Sequence, residues 1–250
     1  MAELEGVYAI WLREVKIYFR EKERFVASIV SPLLWIFGFG AGLGATVAIA
    51  GVNYQTYVFP GIMVMTVLFT SVFYGLYVIW DRKLDFLKEV MVSPLSRRWV
   101  FIGKMLGGVT DALIQSMVLF AIALLLQIPL TPAGFVASLV ILFLTAACMT
   151  SIGLFFGAML SSIESFQLVS NFVVWPLFLF SGALFPISNL PSWLRVLTFI
   201  DPLTYAVDGL RGTMLGAAAF PFVVDVGVLL VAWVLAMGLG SWAFEKMGKL

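Results

Sequence analysis

The chain has 250 residues, 62% apolar and only 12% charged, with a formal net charge of +1 and a mean hydropathy of +1.06. A water-facing domain carries about a quarter charged residues, so most of this outer surface must meet something other than water: the chain reads as an integral membrane protein. There is no basic field for nucleic acid. The absence of histidine removes Ser-His and Cys-His nucleophile pairs and His-ligated metal sites. Cys148 is alone, so no intrachain disulfide forms, and in its apolar stretch it reads as a small packed hydrophobe.

Charges spread through the first 24 residues, with no short apolar region behind them, are not the pattern of a cleavable signal peptide. Instead, residues 4–20 predict an amphipathic helix. Leu4, Val7, Tyr8, Trp11, Val15 and Tyr18 recur at helical spacing, with Arg13, Lys16 and Arg20 off that stripe. Such a helix lies in the headgroup region, either as an anchor or as a lever to a cytoplasmic partner. From Phe25 to Trp80 there are 56 uncharged residues, about 84 Å as one helix against a hydrocarbon core of about 30 Å. The run must fold back, and the polar Asn53-Tyr54-Gln55-Thr56 is the expected place. Spans near 25–50 and 57–80 result.

Within the first of these, Gly38/Gly42 and Gly40/Gly44 form two GxxxG pairs suited to close helix packing. The same glycines weakly match G-x-G-x-x-A through Gly40, Gly42 and Ala45. That match lies inside a span, follows no strand and has no acidic residue about 20 positions on, so packing is the reading.

Residues 81–104 follow. Leu84, Leu87, Val90 and Met91 make one helical face, and Asp85 stands three residues before Lys88. Pro94 ends that helix, and Ser96 is placed to cap the next. A turn needs only a few residues, so the segment reads as a docking surface, with a solvated connector as the plainer alternative. Spans near 105–128 and 133–160 come next, divided by Pro129-Leu130-Thr131-Pro132. The second of them carries a small-residue stripe, Ala146, Thr150, Gly153 and Gly157. A fifth span near 166–185 is stopped by Pro186, and a sixth lies near 221–244.

Asp111 is expected one and a half to two turns into the third span, and Asp225 near the outer end of the sixth. Carboxylates at such depth are functional candidates, although both are close enough to an interface to be hydrated or paired. Six spans put 13 of the 15 basic residues on one side, leaving only Arg195 and Arg211 on the other. The positive-inside rule then places both termini in the cytoplasm.

Residues 186–220 are too apolar for a solvated loop. Asp201 is a natural N-cap with Pro202 at the first helical position. Leu203, Ala206, Val207, Leu210 and Met214 line one side of that helix, and Gly216 closes it. Asp208 and Arg211, three residues apart, are expected to neutralise each other. Neither this helix nor the one begun at Leu190–Leu194 reaches across a bilayer, so a re-entrant or interfacial hairpin in the outer leaflet is expected. The fold class is therefore an all-α integral membrane protein. It comprises an interfacial helix over 1–24 and a single six-helix domain over 25–250.

Phe178–Gly212 contains Phe-Leu-Phe-Ser-Gly-Ala-Leu-Phe-Pro-Ile-Ser-Asn-Leu-Pro-Ser-Trp-Leu and then Asp-Pro-Leu-Thr-Tyr-Ala-Val-Asp-Gly-Leu-Arg-Gly. With Glu89–Gly103 and its Ser93-Pro94-Leu95-Ser96, this resembles the ABC-2 class of ABC-transporter permeases over nearly the whole chain. The resemblance implies two permease subunits, here expected as a homodimer in the cytoplasmic membrane, above two separate ATPase subunits. It also implies coupling through Asp85, Leu87, Lys88, Glu89, Ser93, Pro94 and Arg97, with Glu164 in a short loop facing the same partner. Asp201, Pro202, Tyr205, Asp208 and Arg211 form the matched external motif. Asp111 and Trp175 are candidates for the translocation path.

No G-x-x-x-x-G-K-[ST] loop occurs in the chain, so ATP and Mg are expected on the partner ATPase and no cofactor on this chain. The reading is an exporter subunit for an amphiphilic small molecule, drug, lipid or glycan. The rivals are an ATP-independent secondary carrier and, from a third class, an intramembrane enzyme. The scarcity of charge at membrane depth argues against ion coupling.

Overall fold

A computed structural model describes residues 2–44, 48–49, 52–84, 95–187 and 190–247, and most of them are helical. Helix α1 (Ala2–Arg20) leads across Glu21 into α2 (Lys22–Trp35). That helix continues through a π-helical turn (Ile36–Ala41) into α3 (Gly42–Gly44). A two-residue antiparallel pair, β1 (Ala48–Ile49) with β2 (Val52–Asn53), reverses the chain. Asn53 then caps α4 (Tyr54–Phe73) by accepting from the Gln55 N–H. After a bend at Tyr74-Gly75, α5 (Leu76–Lys83) completes the same rod.

The remaining helices are α6 (Arg97–Leu125), α7 (Pro132–Met159), α8 (Ile163–Phe180), α9 (Ser192–Ile200), α10 (Pro202–Leu215) and α11 (Phe222–Lys246). Among the described residues, five stretches are long and apolar enough to cross a bilayer: Tyr54–Lys83, Arg97–Leu125, Pro132–Met159, Ile163–Phe180 and Phe222–Lys246. The span expected over 25–50 is helical over Lys22–Gly44, but its apolar stretch, Val26–Gly40, is shorter than these five, and the β-pair begins at Ala48.

Several boundaries differ from the sequence reading for identifiable reasons. Helix α6 starts at Arg97, eight positions before the expected 105. Lys104 is buried there against two carboxylates, so a charge failed to mark a span's end. Ser96 occupies the N-cap position, but its hydroxyl makes no capping bond. Helix α8 ends at Phe180, well before Pro186, because Gly182 takes a left-handed φ of 73°.

The core lies where α4, α6 and α7 meet, and α11 runs along α7. A Cβ on Gly153 would collide with the Val72 carbonyl oxygen, and one on Gly157 with that of Gly75. The small stripe of α7 thus lets it lie directly on the α4–α5 bend, which gives the backbone-to-backbone approach that small residues permit in membranes. In the first span, Gly40 and Gly44 face Gln55 and Asn53, whereas Gly38 and Gly42 face open space. Only one of the two GxxxG pairs therefore packs within the chain. Large apolar side chains such as Phe172, Val223, Val231 and Leu235 stand exposed on α8 and α11, a surface that requires an apolar surrounding.

Candidate functional site

On the apolar stripe of α1, Leu4 and Tyr8 are exposed. The buried line is Val7, Glu14 and Tyr18, and it packs on α6, where Gly103 and Gly107 make room for Ile10 and Glu14. Glu14 is therefore a buried charge, and its partners come from three other positions in the chain. Lys104 Nζ lies 2.9 Å from Glu14 Oε1 and also pairs with Asp81. Arg13 bridges the same two acids at 2.8 and 3.0 Å, and the Tyr74 hydroxyl donates to Glu14 Oε2 at 2.9 Å. Trp11 Nε1 donates to Thr110 Oγ1 at 2.9 Å.

Helices α1, α5 and α6 are thus clasped by two acids, two bases and a phenol. With Lys104 only 1% exposed, removal of one member leaves an uncompensated buried charge. Two arginines extend the clasp. Arg82 donates to the carbonyls of Gly157, Ala158 and Leu160 at the end of α7. Arg97 donates to Glu245 O at the end of α11. Cations are favoured there because the last carbonyls of a helix lack intrahelical donors and carry partial negative charge.

Beside the clasp opens a groove between α1–α2 and α4–α5. Its lower chamber, about 750 Å³, runs from Arg13, Glu21 and Asp81 past Tyr77 and Trp80 to Phe69 and Thr70. An upper chamber of about 270 Å³ continues to Trp35, Met65 and Trp175, and the two share Ser28, Phe69, Thr70 and Gln115. The Thr70 hydroxyl donates to Gln115 Oε1, forming a polar rung with Ser28 between aromatic walls. Trp175 stands edge-on to Phe69 at 5.4 Å, and Trp35 edge-on to Phe178 at 5.9 Å. Trp80, which lines the lower chamber, is exposed. A charged mouth, hydrogen-bonding middle and aromatic far end form a path graded from polar to apolar.

Of the residues singled out from sequence, Trp175 lines this groove. Asp111 does not line either chamber. It is buried at the middle of α6, one turn before Gln115, and so lies much deeper than one and a half to two turns. Asp85, Leu87, Lys88, Glu89, Ser93 and Pro94 lie outside the described residues. Arg97 opens α6, and Glu164 is exposed in the first turn of α8. Glu14, Tyr74, Asp81, Lys104, Thr70 and Gln115 escaped the sequence reading. The seven-residue step from Val7 to Glu14, followed by four to Tyr18, was the available signal for the first of them.

At the far end, Asp201 caps α10 by accepting from the Leu203 N–H, with Pro202 at the first helical position and Gly216 closing the helix at φ 69°. Burial pushes the Asp201 carboxyl up to about 8, against the lowering effect of that hydrogen bond. Tyr205 donates to Phe199 O at 3.0 Å, tying α10 to α9; burial raises its phenol.

The expected Asp208–Arg211 bridge is not formed. Asp208 accepts from the Ala219 and Phe220 N–H groups at 2.8–3.0 Å. Arg211 instead donates to Gly182 O at 3.2 Å and lies 4.0 Å over the Tyr57 ring. Burial lowers its guanidinium, opposed by Tyr57 and Asp208. Each charge found a nearer backbone or ring partner than the other.

The family model described as ABC-2 type transporter matches residues 5–215. The inner membrane transport permease YadH of Escherichia coli K12 is 26% identical over 249 residues, 96% of this chain and 94% of that one. Nodulation protein J of Rhizobium leguminosarum bv. viciae is 26% identical, over 89% of this chain and 87% of that one. Its counterpart in Rhizobium meliloti 1021 is also 26% identical, over 88% and 86%. With five helices of bilayer length and a family match running from the first helix to the end of α10, the chain belongs to the ABC-2 type transporter family as an integral membrane permease.

Proposed function

We propose that this permease is the membrane-spanning subunit of an ATP-driven exporter of amphiphilic molecules. The graded groove carries the reading, because it offers polar rungs to a headgroup and aromatic walls to an apolar body along one continuous surface. Lys22–Gly44 supplies a sixth span, since 23 helical residues extend about 34 Å. Both termini are then cytoplasmic, in keeping with the 13 basic residues gathered on one side. YadH is named an inner membrane permease, which supports the cytoplasmic membrane as the location.

The open side of the groove is closed by a second copy about a two-fold axis, and two ATPase chains with ATP and Mg dock below. Segment 85–95, Arg97 and Glu164 receive them. Nucleotide-driven movement there passes to α1 through the clasp, and from α1 to the groove wall formed by α2. Helices α9 and α10 shield the outer mouth as a re-entrant hairpin.

The test is transport of a fluorescent amphiphile in vesicles containing the permease and its partner ATPase. Vanadate should block uptake, and the double change Leu87→Asp with Glu89→Arg should abolish stimulated ATP turnover while the permease stays folded. Vanadate-insensitive uptake that instead follows a proton gradient would identify the secondary carrier, for which buried Asp111 is the relevant residue.

A further inference from the structure

A second cavity lies between α7, α10 and α11. It encloses about 230 Å³ and shares no lining residue with the groove. Its walls are small: Ala137 on α7, with Gly209 and Gly212 on α10. A Cβ on Gly209 would press on Ile141 at 2.9 Å and on the Asp225 Cβ at 3.4 Å. Asp225, in the first turn of α11, lines this space with its side chain fully buried and neither oxygen hydrogen-bonded. Among the described residues, no lysine or arginine lines it. The neighbouring Asp208 is engaged by Ala219 and Phe220, and Arg211 is held over Tyr57. A buried, unpaired carboxylate is strongly disfavoured, so a donor from outside the chain would complete the site.

We propose that this cavity binds a primary ammonium group. An –NH₃⁺ head brings three donors, two of which the Asp225 oxygens can accept; the Thr213 hydroxyl at the wall is already bonded to Ser138 Oγ and to Leu210 O. A divalent cation needs about six or more oxygen ligands, and the lining side chains provide one carboxylate and one hydroxyl. A trimethylammonium group carries no N–H and calls for a cage of rings, whereas Phe222 is the one ring at this wall. The ammonium comes either from an aminophospholipid headgroup or from a free amine. The lipid source rests on the proposed orientation, which sets the start of α11 at the outer headgroup level; the amine site itself does not.

Thermal unfolding of the detergent-purified permease separates these cases. The protein is titrated with ethanolamine, with short-chain phosphatidylethanolamine and with the matching phosphatidylcholine. At least one amine should raise the midpoint by about 3 °C, and the choline lipid should not. A shift with phosphatidylethanolamine alone assigns the headgroup, and an equal shift with ethanolamine assigns the free amine. The shift should vanish in Asp225→Asn. It should also vanish in Ala137→Leu, which fills the cavity while leaving the carboxylate, and this variant carries the test if Asp225→Asn does not fold. An equal response to the choline lipid, an undiminished response in the folded variants, or no response to either amine would overturn the site. Transport enters none of these readouts, so failure here is distinct from failure of the exporter reading.

Discussion

The clasp end and the α9–α10 end of the molecule both bury charge, but they satisfy it in opposite ways. At the clasp, Glu14, Asp81 and Lys104 are held by side chains from helices far apart in sequence. Near α10, Asp201 and Asp208 are held by backbone N–H groups 2 to 12 residues away, and Arg211 by a carbonyl and a ring. Side-chain bridges between separate helices are adjustable joints, whereas side-chain-to-backbone bonds staple a local shape. The first arrangement suits a region that must move with a partner, and the second suits a cover that must stay closed.

The largest effect should come from breaking the joint. Lys104→Met strands two buried carboxylates with Arg13 and the Tyr74 hydroxyl beside them, a loss of about 3–5 kcal/mol. Adding Asp81→Asn should recover part of it, because one of the stranded charges is then gone. Thermal unfolding of the single and double variants measures this. If Lys104→Met were as stable as the parent, the clasp would hold nothing.

The staples should behave differently. Arg211→Gln gives up the contact with Tyr57, worth about 2 kcal/mol where it is desolvated. Asp208→Ala leaves the Ala219 and Phe220 N–H groups without their acceptor, at about 1–3 kcal/mol. Since the two residues have separate partners, a double-mutant cycle should be additive within about 0.5 kcal/mol. A double variant markedly better than the sum would restore the ion pair that the sequence suggested.

That failed pairing shows what was legible from residues alone. Periodicity and charge gaps located four spans closely, because apolar length is a one-dimensional property. The Asp201-Pro202 start and Gly216 stop were readable for the same reason, since caps are local. The clasp was not readable. Its members sit at 13, 14, 74, 81 and 104, and only the folding of α1 onto α6 makes them neighbours. Lys104 even misled, because a paired buried lysine looks in sequence like the edge of a span. The groove escaped for a related reason: Ser28, Thr70 and Gln115 are unremarkable polar residues until three helices bring them together.

A further effect is expected from pH at the stapled end. Burial raises the Asp201 carboxyl to about 8 from an ordinary value near 4. Between those values the folded state holds a proton that the unfolded chain releases. This contribution to stability is fully present below about pH 4 and is lost as pH rises through about 8. Each unit of that shift carries about 1.4 kcal/mol of this contribution. Asp201→Asn keeps a good N-cap and removes the titration, so its unfolding midpoint should fall less than that of the parent between pH 5 and 8. Parallel curves would show that Asp201 titrates near its usual value.

The smallest effect should come from Arg98 and Glu245, an ion pair on the same end of the molecule as the clasp. Their side chains are 68% and 42% exposed, so water competes for both charges and salt screens them. Arg98→Ala should cost little, and that cost should fade in high salt. The clasp sets the contrast, having the same kinds of charge but a lysine at 1% exposure; Lys104→Met should keep most of its effect at any ionic strength. Measuring both variants at low and high salt isolates burial as the variable. If Arg98→Ala proved as damaging as Lys104→Met, or if salt erased both effects alike, charge number rather than burial would be holding α1 to the bundle. The adjustable joint would then be no more than a screened surface attraction.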